Sequence, residues 1–206
     1  MYISIFEQNI PNMSHNLLKG KKGIIFGALN DMSIAWKVAE RAREEGATFT
    51  LTNAPIAMRM GAINDLAKKT NSKVIPADAT SVEDLKNLFN ESQEILGGKI
   101  DFVLHSIGMS PNVRKKKKYS NLNYEWYKKT LDVSAMSLHK VLQVSSELDA
   151  MNEWGSVVAL SYIAAQRIFP DYNDMADAKS LLESITRSFG YHYGTSRKVR
   201  INTISQ

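Results

Sequence analysis

The sequence predicts an α/β fold: a doubly wound parallel sheet with helices on both faces. Three observations lead there. Short β-branched runs alternate with amphipathic stretches of helical spacing along the chain. The first such run ends in Gly27 and passes directly into a helical pattern. Polar and small residues gather at the carboxyl ends of the runs, where the ligands of such sheets bind.

The elements follow in order. Gly23–Phe26 reads as the first strand, and Ser33–Glu45 as a helix with Ile34, Ala35, Val38 and Ala42 on one stripe. Thr48–Thr52 is the second strand, Met58–Lys69 a helix and Lys73–Ala77 the third strand. Val82–Leu96 is helical, with Ser81 placed to cap it. Asp101–Ser106 is the fourth strand, and a long helix covers Tyr124–Leu148. Gly155–Ser161 is the fifth strand, Tyr172–His192 helical, and Val199–Ser205 the sixth strand. No repeat or linker divides the pattern, and 206 residues suit one domain with a sizeable core.

Composition removes several function classes. There are no cysteines, which excludes disulfides and thiolate chemistry and fits a cytoplasmic location. The four histidines are scattered without metal-ligand spacing, so no metal is expected. No apolar run approaches the roughly 18 residues of a membrane span. The net charge of +5 owes much to one run, Arg114–Lys118. A nucleic-acid role for that run is disfavoured, because Tyr119 is its only aromatic neighbour and solvated charge runs are common. Residues 1–12 lack the pattern of a signal peptide and read as a non-native or disordered extension ahead of a start at Met13.

The strand ends carry the chemistry. Gly27 permits a tight turn, and Ser33 offers a hydroxyl and an N–H at a helix start, where a pyrophosphate is favoured. The usual G-x-G-x-x-G is absent, and an ordinary turn capped by Asn30 or Asp31 fits the same residues. Asn53 follows the second strand, on the ribose side of a cofactor cleft. Asp78 and Ala79 follow the third, at the adenine edge. Ser106, Ile107 and Gly108 follow the fourth, and Ser161 and Tyr162 end the fifth. Taken singly, Asp78 reads equally as a helix cap, His105 as a core histidine and Tyr162 as a core aromatic.

Tyr172 and Lys179 are seven residues apart, nearly two helical turns, so they are expected on one helix face about 10 Å apart along the axis. A phenol is a weak acid, with an ordinary pKa of about 10. A neighbouring ammonium would favour the phenolate and sharpen the hydroxyl as a donor. A lone pair at this spacing also arises by chance on solvated helices.

Together, Gly27-x5-Ser33-Ile34-Ala35, His105-Ser-Ile-Gly108, Ser161-Tyr162 and Tyr172-x6-Lys179 resemble the divergent short-chain dehydrogenases. Within them the chain is most similar to the bacterial type I enoyl-[acyl-carrier-protein] reductases, from about Leu18 onward. The resemblance implies a Rossmann-like domain over residues 13–206 and hydride transfer from NAD(P)H to the trans-2 double bond of an enoyl thioester, in fatty-acid elongation. It implies that Tyr172 hydrogen-bonds the thioester oxygen, that Lys179 holds the nicotinamide ribose and that Tyr162 is a second active-site tyrosine. Gly27, Ser33 and Ile34 would form the pyrophosphate turn, and Asn53, Asp78, Ala79, Ser106, Ile107 and Gly108 the rest of the cofactor site. Ser110 would lie where the acyl substrate passes. Neutral Asn53, with no basic pair beside it, favours NADH over NADPH. The partners implied are an acyl-carrier-protein-bound substrate and the copies of a homotetramer, and the run Arg114–Lys118 is expected near the substrate entrance. A different enone or carbonyl as substrate is the competing reading. The family continues past the point matching Gln206 with a loop, a helical segment and a last strand. The expectation is therefore a C-terminally incomplete domain, lacking the family's last strand and inactive as written.

Overall fold

The computed structural model describes residues 14–59 and 61–205; the extension expected over residues 1–12 lies outside them. Six strands form one all-parallel sheet: β1 (Lys22–Phe26), β2 (Thr48–Thr52), β3 (Lys73–Val74), β4 (Ile100–His105), β5 (Met151–Ser161) and β6 (Arg200–Ser205). Their spatial order is β3-β2-β1-β4-β5-β6, so the chain reverses direction across the sheet between β1 and β4. That reversal opens a crevice at the carboxyl ends of the two central strands, as expected for a doubly wound sheet.

Adjacent residues of β1 show why both faces are covered. Ile25 packs with Ala35, Trp36, Ala39, Ile63 and Leu66, from α1 (Ile34–Glu44) and α3 (Ala62–Thr70). Ile24 and Phe26 point the other way, into a core with Leu85, Leu88 and Phe89 of α4 (Val82–Leu96). Leu138, Val141 and Leu142 of α7 (Ser137–Glu147) and Leu182 of α8 (Asp174–Arg197) complete that second core. Side chains alternate across a strand, so one apolar run serves both layers.

The ends of α4 lie where the sequence puts them. Ser81 accepts from the Asp84 N–H at 3.2 Å, a cap of about 1 kcal/mol, and Gly97 ends the helix at φ 70°.

Five elements differ from expectation. β5 starts at Met151, four residues ahead of the expected Gly155. The stretch expected as one helix over 58–69 is divided into α2 (Pro55–Met58) and α3, with Gly61 at φ 74° leading into α3. Regular pairing of β3 stops at Val74, ahead of Pro76; Ile75 and Ala77 still donate to Leu51 and Asn53 carbonyls, because the proline falls on the side facing away from β2. The helix expected over 124–148 is α6 (Tyr124–Leu131) and α7 joined by a π-helical turn, Asp132–Met136. Lastly, α8 begins at Asp174, so Tyr172 precedes it. A one-turn helix that the sequence reading omitted, α5 (Pro111–Arg114), opens the segment between β4 and α6.

Candidate active site

The carboxyl ends of the strands line two cavities that meet at Ile107. The first, of about 100 Å³, is walled by Gly27, Asn53, Asp78, Ala79 and Ile107, together with Thr52, Thr80 and Val133. The second, of about 230 Å³, is walled by Ile34, Ser106, Ile107, Gly108, Ser161, Tyr172 and Lys179, with Leu160 and Met175. Residues drawn from the ends of every strand but β6, spread over more than 150 positions of sequence, thus converge on one crevice.

The first cavity is narrow, with a floor of backbone. A Cβ on Gly27 would lie 1.9 Å from the Ser106 carbonyl oxygen, so the floor between β1 and β4 admits no side chain. The Thr52 hydroxyl is buried without a hydrogen-bond partner and lies in the wall, available to a ligand. Asn53 donates to the Ala28 carbonyl at 3.1 Å, which fixes its amide. No lysine or arginine lines this cavity, and Arg59 is exposed outside it. A 2′-phosphate would meet no cation there. Asp78 is held at one carboxylate oxygen by the Thr80 N–H and hydroxyl, at 2.8 and 2.7 Å.

The second cavity holds the expected pair, Tyr172 and Lys179. The Lys179 ammonium is buried beneath Gly108 and donates to the Leu160 carbonyl at 2.6 Å. Burial pushes its pKa down to about 8. The Tyr172 ring packs on Tyr162 at 4.7 Å between centroids, and Phe169 meets the Tyr162 ring edge-on at 5.2 Å. Burial, with Tyr162 adding to it, pushes the Tyr172 phenol up from its ordinary value. The expected activation of the phenol by a facing ammonium is therefore corrected. The two residues do not share a helix face, Lys179 is turned to the Leu160 carbonyl, and the phenol stays in its protonated, donating form.

Tyr172 is placed by a turn, with Asp171 at φ 65° and Asn173 at φ 46°, ψ −134°. Such backbone in non-glycine residues costs about 1–3 kcal/mol per residue and persists only where its surroundings hold it. The holding contacts are present. The Asn173 amide donates to the Lys117 carbonyl at 2.5 Å, and Asp174, fully buried, accepts from Ser110, Asn112 and Thr130 at 2.7, 2.8 and 2.8 Å.

Three expected site residues lie differently from the rest. Ser33 stands at the start of α1, but its hydroxyl turns back to the Asn30 carbonyl at 2.6 Å and lines neither cavity. Ser110 is buried. Its hydroxyl caps α5, accepting from the Val113 N–H at 3.0 Å, and donates to Asp174, so the substrate-facing position expected for it is corrected to a structural one. Tyr162 supports Tyr172 by ring contact and is absent from both cavity walls. His105 is buried, its pKa pushed down to about 3 by burial and by Lys179, so it stays neutral. Its Nε2 lies 2.9 Å from the Ser137 hydroxyl, which itself donates to the Val133 carbonyl.

Thr52, Thr80, Val133, Leu160 and Met175 escaped the sequence reading. Thr52, Thr80 and Leu160 had a usable signal, each standing beside a residue that the sequence picks out at a strand end; Val133 reaches the wall through the π-helical turn.

Among the described residues, no helix is long and apolar enough to cross a membrane, and no cluster of His, Cys, Asp or Glu is arranged to hold a metal.

Comparison with known proteins agrees with this geometry. The family model described as "Enoyl-(Acyl carrier protein) reductase" matches residues 27–206. The enoyl-[acyl-carrier-protein] reductase [NADH] FabI of Rickettsia bellii (strain RML369-C) is 35% identical over 196 residues, covering 94% of this chain and 72% of the relative. A second relative, enoyl-[acyl-carrier-protein] reductase [NADH] 2 of Rhizobium meliloti (strain 1021), is 32% identical and covers 93% and 70%. Among solved structures, the FabI–NADH complex from Alistipes finegoldii superposes with a TM-score of 0.92 at 66% identity, covering 93% of this chain and 68% of that one.

Proposed function

The chain belongs to the enoyl-(acyl carrier protein) reductase family, and from that membership we infer how its own residues carry out the reaction. NADH, when bound, supplies a hydride to the β-carbon of a trans-2-enoyl thioester, and negative charge then develops on the thioester oxygen. Tyr172 meets that charge as a hydrogen-bond donor, an oxyanion-hole role for which its raised pKa keeps the proton in place. Tyr162 braces the ring. Lys179 spends one N–H on Leu160 and has two for the ribose hydroxyls. Gly27, Ile34, Ser106 and Gly108 shape the floor, and Asn53, Asp78 and Ala79 the adenosine end. Ser33 contributes through its backbone at the start of α1. The observation that carries this reading is the convergence of Tyr172, Lys179 and Ser106–Gly108 on one cavity. The test is NADH oxidation with crotonyl and longer enoyl thioesters set against ketones, in the 206-residue chain itself, for which no turnover is expected, and in a version extended to the length of its relatives. Turnover of ketones alone would assign the chain to another branch of the short-chain reductases.

Lys179 makes the affinity for NADH pH-dependent. A ligand that prefers the ammonium binds most tightly below the free group's pKa of about 8 and more weakly as the pH rises through it. We expect affinity to fall by up to about tenfold per pH unit above that point. Lys179→Met should bind NADH weakly at every pH. A fluorescence titration that is flat between about pH 7 and pH 9.5 in the unsubstituted protein would refute the ribose role.

The substrate is carried by acyl carrier protein, and its approach falls, in this reading, on Arg114–Lys118. Lys115, Lys116 and Lys118 are exposed, and the Lys117 carbonyl is tied to the turn bearing Tyr172. Steering by such a patch raises association rates and fades with salt. Replacing these three lysines with glutamine should slow reduction of the carrier-bound substrate at low salt by about fivefold or more and spare a small thioester. Equal rates on the carrier-bound substrate would exclude the docking role. A homotetramer and a cytoplasmic location complete the proposal; sedimentation equilibrium tests the first and cell fractionation the second.

A further inference from the structure

The site's geometry leaves one buried carboxylate without a part in the chemistry. Asp174 is the first residue of α8, fully buried, and none of its hydrogen-bond partners is a cation. Those partners come from separate elements: Ser110 ahead of α5, Asn112 within α5 and Thr130 at the end of α6. Thr130 also lies 2.8 Å from the Trp126 carbonyl and shares its one proton between the two. Asn112 in turn is tied to the backbone of Asn123 at both its amide and its oxygen, at 3.1 and 3.0 Å. One turn further on, Asp177 accepts from Tyr127 at 3.0 Å and from Tyr119 at 3.1 Å. The whole segment from 110 to 130 is thus fastened to the first turn of α8.

We propose that Asp174 is a positioning residue for Tyr172: it clamps the 110–130 segment against α8 and so holds the high-energy turn at 171–173 that aims the phenol. The turn has no glycine, and the two residues flanking Tyr172, Asp171 and Asn173, adopt positive-φ backbone. Helix α8 supports it from the carboxyl side, and the Asn173–Lys117 bond draws on the same clamped segment from the other. The carboxylate suits this post because it accepts from several donors at once and stands at a helix N-terminus, where negative charge is favoured. An amide in its place presents an NH₂ to one of those donors.

This rests on the reading that Tyr172 meets the thioester oxygen, and the experiment keeps the two ideas apart. Asp174→Asn should lower kcat by about tenfold with NADH affinity within about twofold, because the adenosine cavity lies at the far end of the crevice. In a Tyr172→Phe background the same substitution should cost less than about twofold, since the group it positions is gone. Thr130→Val, which removes one donor and no charge, should show a smaller loss of the same kind. An equal loss in both backgrounds, or no loss in the first, overturns the proposal. The second arm needs no turnover. Trypsin cleaves after Arg114–Lys118, and Asp174→Asn should speed that cleavage about tenfold by freeing the segment. An unchanged cleavage rate also overturns the clamp. A wild-type protein without enoyl-thioester turnover but with faster cleavage in the variant would fail the catalytic reading alone.

Discussion

Tyr172→Phe is expected to lower turnover by about a hundredfold or more and to leave NADH binding within about twofold. The substitution keeps the ring, and with it the 4.7 Å packing on Tyr162 and the contact with Phe169, so the turn at 171–173 retains its aromatic anchor. What it removes is a single hydroxyl, whose proton burial holds in place. The loss should fall on kcat, since the interaction is strongest when charge has developed on the substrate oxygen. Tyr162→Phe should cost much less, because that ring serves by contact and its hydroxyl faces neither cavity. Steady-state kinetics with an enoyl thioester, beside a fluorescence titration of NADH, separates the cases. A variant within fivefold of wild type in kcat would remove Tyr172 from the role of principal donor.

Gly27→Ala should be nearly as damaging, by a different route. The backbone at Gly27 has φ 88°, and an added Cβ would sit 1.9 Å from the Ser106 carbonyl oxygen and 2.8 Å from its carbon. These are backbone atoms of the segment that follows β4, so nothing flexible yields. Either the ends of β1 and β4 separate or Gly27 leaves its conformation, and both distort the cofactor floor. We expect a loss of about 3 kcal/mol or more in unfolding free energy, and NADH affinity reduced beyond measurement. Gly97→Ala is the control: φ is 70° with nothing within 4 Å of the added carbon, so backbone strain alone, about 1–2 kcal/mol, should appear. If the two variants unfold at the same denaturant concentration, the steric account of Gly27 is wrong.

The parts of the fold legible in the sequence were those governed by local periodicity. β2 and α4 lie where alternation and helical spacing put them, and Ser81 caps as its side chain predicts. The crevice was legible as well, because in a parallel sheet the carboxyl ends share one rim. What escaped depends on contacts far apart in sequence. A left-handed turn without glycine has no local signature, so Tyr172 was drawn onto a helix that starts two residues later. The acidity of its phenol was judged from the nearness of Lys179 in sequence, whereas burial decides its direction. The hydroxyls of Ser33 and Ser110 read as ligand groups because nothing local shows them spent on Asn30, Val113 and Asp174.

The π-helical turn at Asp132–Met136 sets the angular phase between two halves of one rod. Each residue of an α-helix advances the side-chain direction by about 100°, and a π turn takes up one residue beyond the α count. On one side of it Thr130 points to Asp174; on the other Leu138, Val141 and Leu142 point to the sheet core. Within the turn, Ser134 grips Met109 through both its N–H and its carbonyl, at 2.9 and 3.1 Å. Because the turn already absorbs one surplus residue, losing one there would restore the α count and keep α6 in phase with α7, whereas gaining one would rotate α6 by about 100° against α7, so that only one of the two faces could keep its contacts. The rod is therefore clocked in one direction only: a residue lost at the turn leaves both faces in register, while a residue gained would uncouple the core from the segment that holds the turn at 171–173.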